Sequence, residues 1–108
     1  MFCMNCIKLA ENLPNSFLEN HIKGQLIRSS TSVAANFRAA QLAQSKASFV
    51  SKLSIVIEEA DESQFWIEMI KDSCIIVSDD REKLEKEASE LVAIFISSRK
   101  KLQNRTFN

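Results

Sequence analysis

The sequence predicts an all-α protein, an antiparallel up-down-up-down four-helix bundle. Three observations carry this expectation. One Gly and one Pro in 108 residues leave little material for turns. Apolar residues recur alternately every four and three positions over long stretches, the spacing of a helix face packed on other helices. The segments between these stretches are short, so consecutive helices should lie antiparallel.

The first helix is expected over about residues 2–12, ending at "NLPN", where Pro14 breaks it. Cys3, Cys6, Ala10 and Leu13 form its apolar stripe. The second runs from about 17 to 43, with Ile22, Leu26, Ser29, Val33, Asn36, Ala40 and Ala43 on its packing face. Its middle, "QLIRSSTSVAAN", is made of mediocre helix formers. Small residues there let helix axes approach, and Ser, Thr and Asn can hydrogen-bond backbone or a neighbouring helix. The third starts at Ser45, a good N-cap, and reaches about 76. Its seam is Phe49, Leu53, Val56, Ala60, Ser63, Ile67, Ile70 and Cys74. "SDDREKLE" opens the fourth, capped by Ser78 or Asp79, with acids at the positive helix end. It runs to about 103, with Leu84, Ala88, Leu91, Phe95, Ser98 and Leu102 as its seam.

One domain covers residues 1–108, and that length can bury a core without disulfide or metal staples. Yet the apolar content exceeds one seam per helix. Ile55, Ile57, Phe65, Trp66 and Met69 lie off the line on the third helix, and Val92, Ile94 and Ile96 on the fourth. Contiguous apolar surface marks interfaces. A homo-oligomer is therefore expected, with Ile55, Phe65, Trp66, Met69, Val92, Ile94 and Ile96 at its interface. The competing expectation is a wider core that absorbs the excess.

Composition removes several function classes. One Gly cannot build a P-loop or a dinucleotide fingerprint. Fourteen basic and fourteen acidic residues balance, so nucleic-acid binding would need charge segregated onto one face or repeated by assembly. No apolar run reaches membrane-spanning length, and "MFCMNC" lacks the basic start of a signal peptide. Three cysteines, an odd number, fit a reducing cytoplasm.

Each candidate for chemistry has a plainer structural explanation. Cys3 and Cys6 form a C-x-x-C, but zinc needs two further ligands, and Cys74 and His21 should lie roughly 15 Å away at helical rise. Core-facing free thiols are expected instead. Glu58, Glu59, Asp61 and Glu62 lack the Glu-x-x-His partners of a di-iron bundle, and read as a solvated face. His21 has no third member to complete a triad with Ser16. Phe65 and Trp66 could stack on bases, but their neighbours are acidic or neutral, which favours burial. No catalytic, metal or cofactor site is expected. Arg99, Lys100, Lys101 and Arg105 close the fourth helix, complement its dipole, and are the candidates for phosphate binding. Arg28, Arg38, Lys46 and Lys52 are weaker candidates for the same surface.

Residues 25–70 carry a family resemblance. Gln25-Leu26, Arg28-Ser29, Thr31-Ser32, Asn36, Ala43, Ser45-Lys46, Phe49, Lys52-Leu53, Glu59-Ala60, Glu62 and Trp66 form the matching signature. This pattern resembles the S23 four-helix bundle proteins, first noticed in reading frames within bacterial 23S rRNA intervening sequences. The likeness extends more loosely to "KLAENLP" and the fourth helix. It implies an up-down bundle assembled into a ring, commonly a pentamer, with no known enzyme activity. It also implies kinship with a retroelement accessory protein, a similar bundle in a basic pentameric barrel that binds nucleic acid and a reverse transcriptase. Arg38 and Ala39 stand where family members usually carry acids. The function expected is a non-enzymatic oligomeric scaffold or adaptor for RNA or a nucleoprotein. The alternative is a protein-binding module whose groove beside the second helix receives a partner helix.

Overall fold

The computed structural model describes residues 1–73 and 79–105. These form four helices: α1 (Phe2–Glu11), α2 (Phe17–Gln41), α3 (Lys46–Asp72) and α4 (Asp79–Arg105). Among the described residues there is no strand.

Local chemistry sets the boundaries. α1 ends one turn before Pro14, and the amides of Asn12 and Leu13 close back onto α1 carbonyls. Ser16 starts α2: its backbone is extended and its hydroxyl accepts from the Glu19 amide at 3.2 Å. Ser-x-x-Glu is the spacing of a capping box, and the acid also suits the positive helix end. Ser45 starts α3 as expected, accepting from the Ser48 amide at 3.0 Å. α2 stops at Gln41, two residues short of the expected end, with Leu42 as its C-cap. Ser78, an expected cap of α4, and Cys74, the last seam residue of α3, lie outside the described residues.

The helices form a rod of 52 × 20 × 20 Å. Contacts between α3 and α4 run in opposite senses along the chain. Arg81 donates to the Ile67 carbonyl, while Arg99 donates to Ser54 Oγ at 3.2 Å. Likewise His21 meets Trp66 and Ser29 meets Ser63 across α2 and α3. This is the pattern of antiparallel neighbours.

The two halves of the rod are built differently. At about 1.5 Å per residue, α1 spans about 15 Å and α2 about 37 Å. α1 packs between the first half of α2 and the first half of α4. There Cys6, Leu9, Ile22, Leu26, Ile67 and Ile70 share one buried cluster with Leu84 and Ala88. Full burial of one such aliphatic side chain is worth about 1.5–3 kcal/mol. Among the described residues, only α2, α3 and α4 meet in the other half, around Val33, Leu53, Val56, Ile57 and Ala60. Phe37, Phe49 and Phe95 are only partly buried against this second cluster.

The α3 seam holds: Leu53, Val56, Ala60, Ser63, Ile67 and Ile70 are all buried. Two expectations need correcting. Ile57, assigned to the outside, is 8% exposed and belongs to the core. α3 packs against both α2 and α4, so its buried arc is wider than a single seam. Ser98, assigned to the α4 seam, is exposed, because it lies beyond the reach of α1.

The polar stretch of α2 is helical throughout. Thr31 Oγ1 donates to the Ile27 carbonyl at 2.7 Å, and Asn36 Nδ2 to the Ser32 carbonyl at 2.9 Å. Ser29, Ser30 and Ser63 are wholly buried. Ser63 donates to Ser29 Oγ at 2.9 Å, and Ser29 in turn to the Leu26 carbonyl. These hydroxyls let α2 and α3 approach without orphaned donors.

Candidate nucleic-acid interface

Folding four helices antiparallel sorts the charges. The second half of α2, the first half of α3 and the second half of α4 converge at one end of the rod. Residues 30–57 and 91–105 contain Arg38, Lys46, Lys52, Arg99, Lys100, Lys101 and Arg105, and no acid. All fourteen acids lie in the other half, with the remaining seven bases. A chain of zero net charge is therefore divided into a half of formal charge +7 and a half of −7.

Arg38, Lys46, Lys100 and Lys101 are exposed, and Lys52 and Arg99 half-buried. Arg99 braces α4 on α3 through Ser54, whose hydroxyl bonds on to the Val50 carbonyl at 3.0 Å. The side chain of Arg105 lies outside the described residues. Arg28 stands apart from this group. It sits at mid-length on α2 and is held by Glu59 and Glu62 of α3. Hydrogen bonding to Glu62 is the main cause that pushes its pKa up further. Arg28 therefore works as a clamp between helices. The contribution of Arg38, Lys46 and Lys52 is muted in the linear sequence, because acids of other helices separate them from the α4 bases.

The apolar surplus divides as well. Trp66 and Met69 pack partly buried against the core cluster near α1, and Val92 against the other cluster. Ile55 is half-buried. Phe65, Ile94 and Ile96 remain 49%, 58% and 42% exposed. Phe65 leans on Trp66 edge-to-face, with centroids 4.9 Å apart, and Trp66 meets His21 in the same manner at 5.4 Å. The buried Trp66 Nε1 has no hydrogen-bond partner among the described residues.

Cys3 and Cys6 are free and buried, as the stripe on α1 predicts. Burial, reinforced by Cys3 and Glu87 and partly offset by a hydrogen bond with Ser30, pushes the Cys6 thiol up to about 12. A thiol so held is not a nucleophile near neutrality. Among the described residues no three His, Cys, Asp or Glu side chains come together as metal ligands. No described helix is long and apolar enough to cross a membrane. Beyond the start of α1, Val33, Phe37, Leu91 and Phe95 line a shallow apolar groove edged by Arg38 and Gln41.

The comparisons with known proteins agree with this architecture. A crystal structure from Bacteroides thetaiotaomicron VPI-5482, described as a protein of unknown function from the S23 ribosomal protein family, is 32% identical. It superposes with a TM-score of 0.78 over 92% of each chain. No curated protein sequence matches. The family model of the 23S rRNA-intervening sequence protein matches residues 1–97. A match over that much of the chain, together with the shared four-helix fold, makes this protein a member of the 23S rRNA-intervening sequence protein family.

Proposed function

We propose that the bundle is a non-enzymatic scaffold that assembles with copies of itself and binds the phosphate backbone of RNA, alone or in a nucleoprotein, through its basic half. One observation supports this most: seven bases and no acid occupy one half of a chain whose net charge is zero. Local positive potential of that kind attracts polyanions whatever the overall charge. Arg99, Lys100, Lys101 and Arg105 supply the densest part, and Arg38, Lys46 and Lys52 extend it across α2 and α3. Exposed Phe65, Ile94 and Ile96 supply apolar surface for self-association.

Fluorescence anisotropy with a labelled single-stranded RNA tests the binding. Affinity should fall steeply between 50 mM and 200 mM salt, in the manner of counterion release. Replacing Arg99, Lys100 and Lys101 by Gln should flatten that slope by about two. Absence of binding at low salt would leave the protein-docking alternative, which the apolar groove beside α2 favours.

A further inference from the structure

The trough that holds α1 runs on beyond it. Among the described residues α1 packs on α2 and α4 and not on α3, while α2 and α4 do not pack on each other. α1 therefore fills the space between those two helices. It shares a core cluster with one stripe of each: Ile22 and Leu26 on α2, Leu84 and Ala88 on α4. Val33 and Phe37 continue the α2 stripe, and Leu91 and Phe95 the α4 stripe, in steps of three, four or seven that keep to one helix face. Beyond the first turn of α1 these four residues line the open apolar groove. Phe37 and Phe95 reach towards each other across it, with ring centroids 5.5 Å apart, and both stay only partly buried.

We propose that this groove seats a short amphipathic helix of a partner protein, apolar towards Val33, Phe37, Leu91 and Phe95 and acidic along its outer edges. Shape selects a helix, because the walls are the same two stripes that already grip one. From Val33 to Gln41 the α2 wall runs for about 12 Å, about two turns of a seated helix. Apolar anchors spaced three and four residues apart are how a helix enters such a groove. Charge selects the chemistry of its exposed side. Arg38 edges the groove, and residues 30–57 and 91–105 around it carry seven bases and no acid. An acidic helix is drawn to that potential and a basic one is repelled. The seat does not depend on RNA binding. Its apolar walls lie between α2 and α4, and of the bases named for phosphate contact Arg38 alone borders it.

Titration calorimetry of the full chain with synthetic peptides of about 14 residues, about four helical turns, tests it. The first peptide carries Leu in alternating steps of three and four and Glu at the other outward positions. The second has Lys in place of Glu, and the third has the acidic composition shuffled out of register. The expected result is that the first binds, gaining helical circular dichroism, with a Kd about tenfold or more below either control. Ala34→Glu, at an exposed position inside the groove, should raise that Kd about tenfold and leave the melting of the bundle unchanged. Arg38→Glu should weaken the acidic peptide and strengthen the Lys peptide, a reversal that a fold defect would not produce. Equal binding of the three peptides, or an Ala34→Glu variant that binds as well as the parent, overturns the proposal. So does absence of binding by all three; ultracentrifugation then shows whether a second copy covers the groove, since Ala34→Glu would disperse that assembly. RNA affinity is measured without peptide, so its failure removes the phosphate-binding reading and leaves this one standing.

Discussion

The half of the rod that contains α1 and the half beyond it differ in construction and in charge. Four helices meet in the first, around fully buried Ile22, Leu26, Ile67 and Ile70, and every acid of the chain lies on its exterior or mid-length edge. Three helices meet in the second, its aromatic residues are only partly covered, and its charges are all positive. The difference separates core from charge. Stability is concentrated where burial is complete, and the half with the thinner core carries the positive surface on which the proposed RNA binding rests.

Five single substitutions break or sharpen this comparison. Ile67→Ala empties a site with no exposure and should cost about 2–5 kcal/mol by chemical denaturation. Phe95→Ala, in the three-helix half, should cost on the order of 1–2 kcal/mol, since its ring already meets solvent. Equal losses would erase the distinction between the two cores.

The Cys6 thiol gives the next largest effect, and only at high pH. Its pKa is raised in the folded state from 9.0 to about 12, so the folded chain binds the extra proton in that window. Stability contributed by the neutral thiol is complete below pH 9 and is lost as pH rises from 9 towards 12. Denaturation melts across that range should fall less steeply for Cys6→Ala than for the parent chain.

Ser63→Ala removes the donor that satisfies Ser29 between α2 and α3, and should cost about 1 kcal/mol. Adding Ser29→Ala should cost little more, because no acceptor is then left waiting; a fully additive second loss would argue against the pair. The smallest effect belongs to Arg28→Ala. Its ion pairs with Glu59 and Glu62 are partly exposed and screened, so at most about 1 kcal/mol should be lost, and less at high salt.

Much of the fold is legible in the sequence. The α3 seam from Leu53 to Ile70 can be read because a heptad pattern states its own buried face. Ser45 as a cap and Pro14 as a stop can be read because they act on adjacent backbone. Ile57 and Val92 cannot be assigned in that way. Their burial depends on a second neighbouring helix, and spacing along one helix does not say how many neighbours it has. The bases of α4 stand out as a cluster in the chain. Arg38, Lys46 and Lys52 read only as weaker candidates for the same surface, because the acids of α3 and α4 intervene in sequence and folding back is what brings them to the same end as the α4 bases; Arg28, grouped with them, is instead held by Glu59 and Glu62.

By itself the amino-acid order determined four helices, their limits to within a few residues and the residues of the central seam, since each of these follows from local hydrogen bonding and from periodicity. Tertiary structure alone decided that the chain is an electrical dipole. Antiparallel packing brings the C-terminal ends of α2 and α4 to the N-terminal end of α3, and so gathers seven bases that the sequence scatters among fourteen acids. Coulomb interactions depend on distance through space, not along the chain, which is why that property appears only when the helices are stacked.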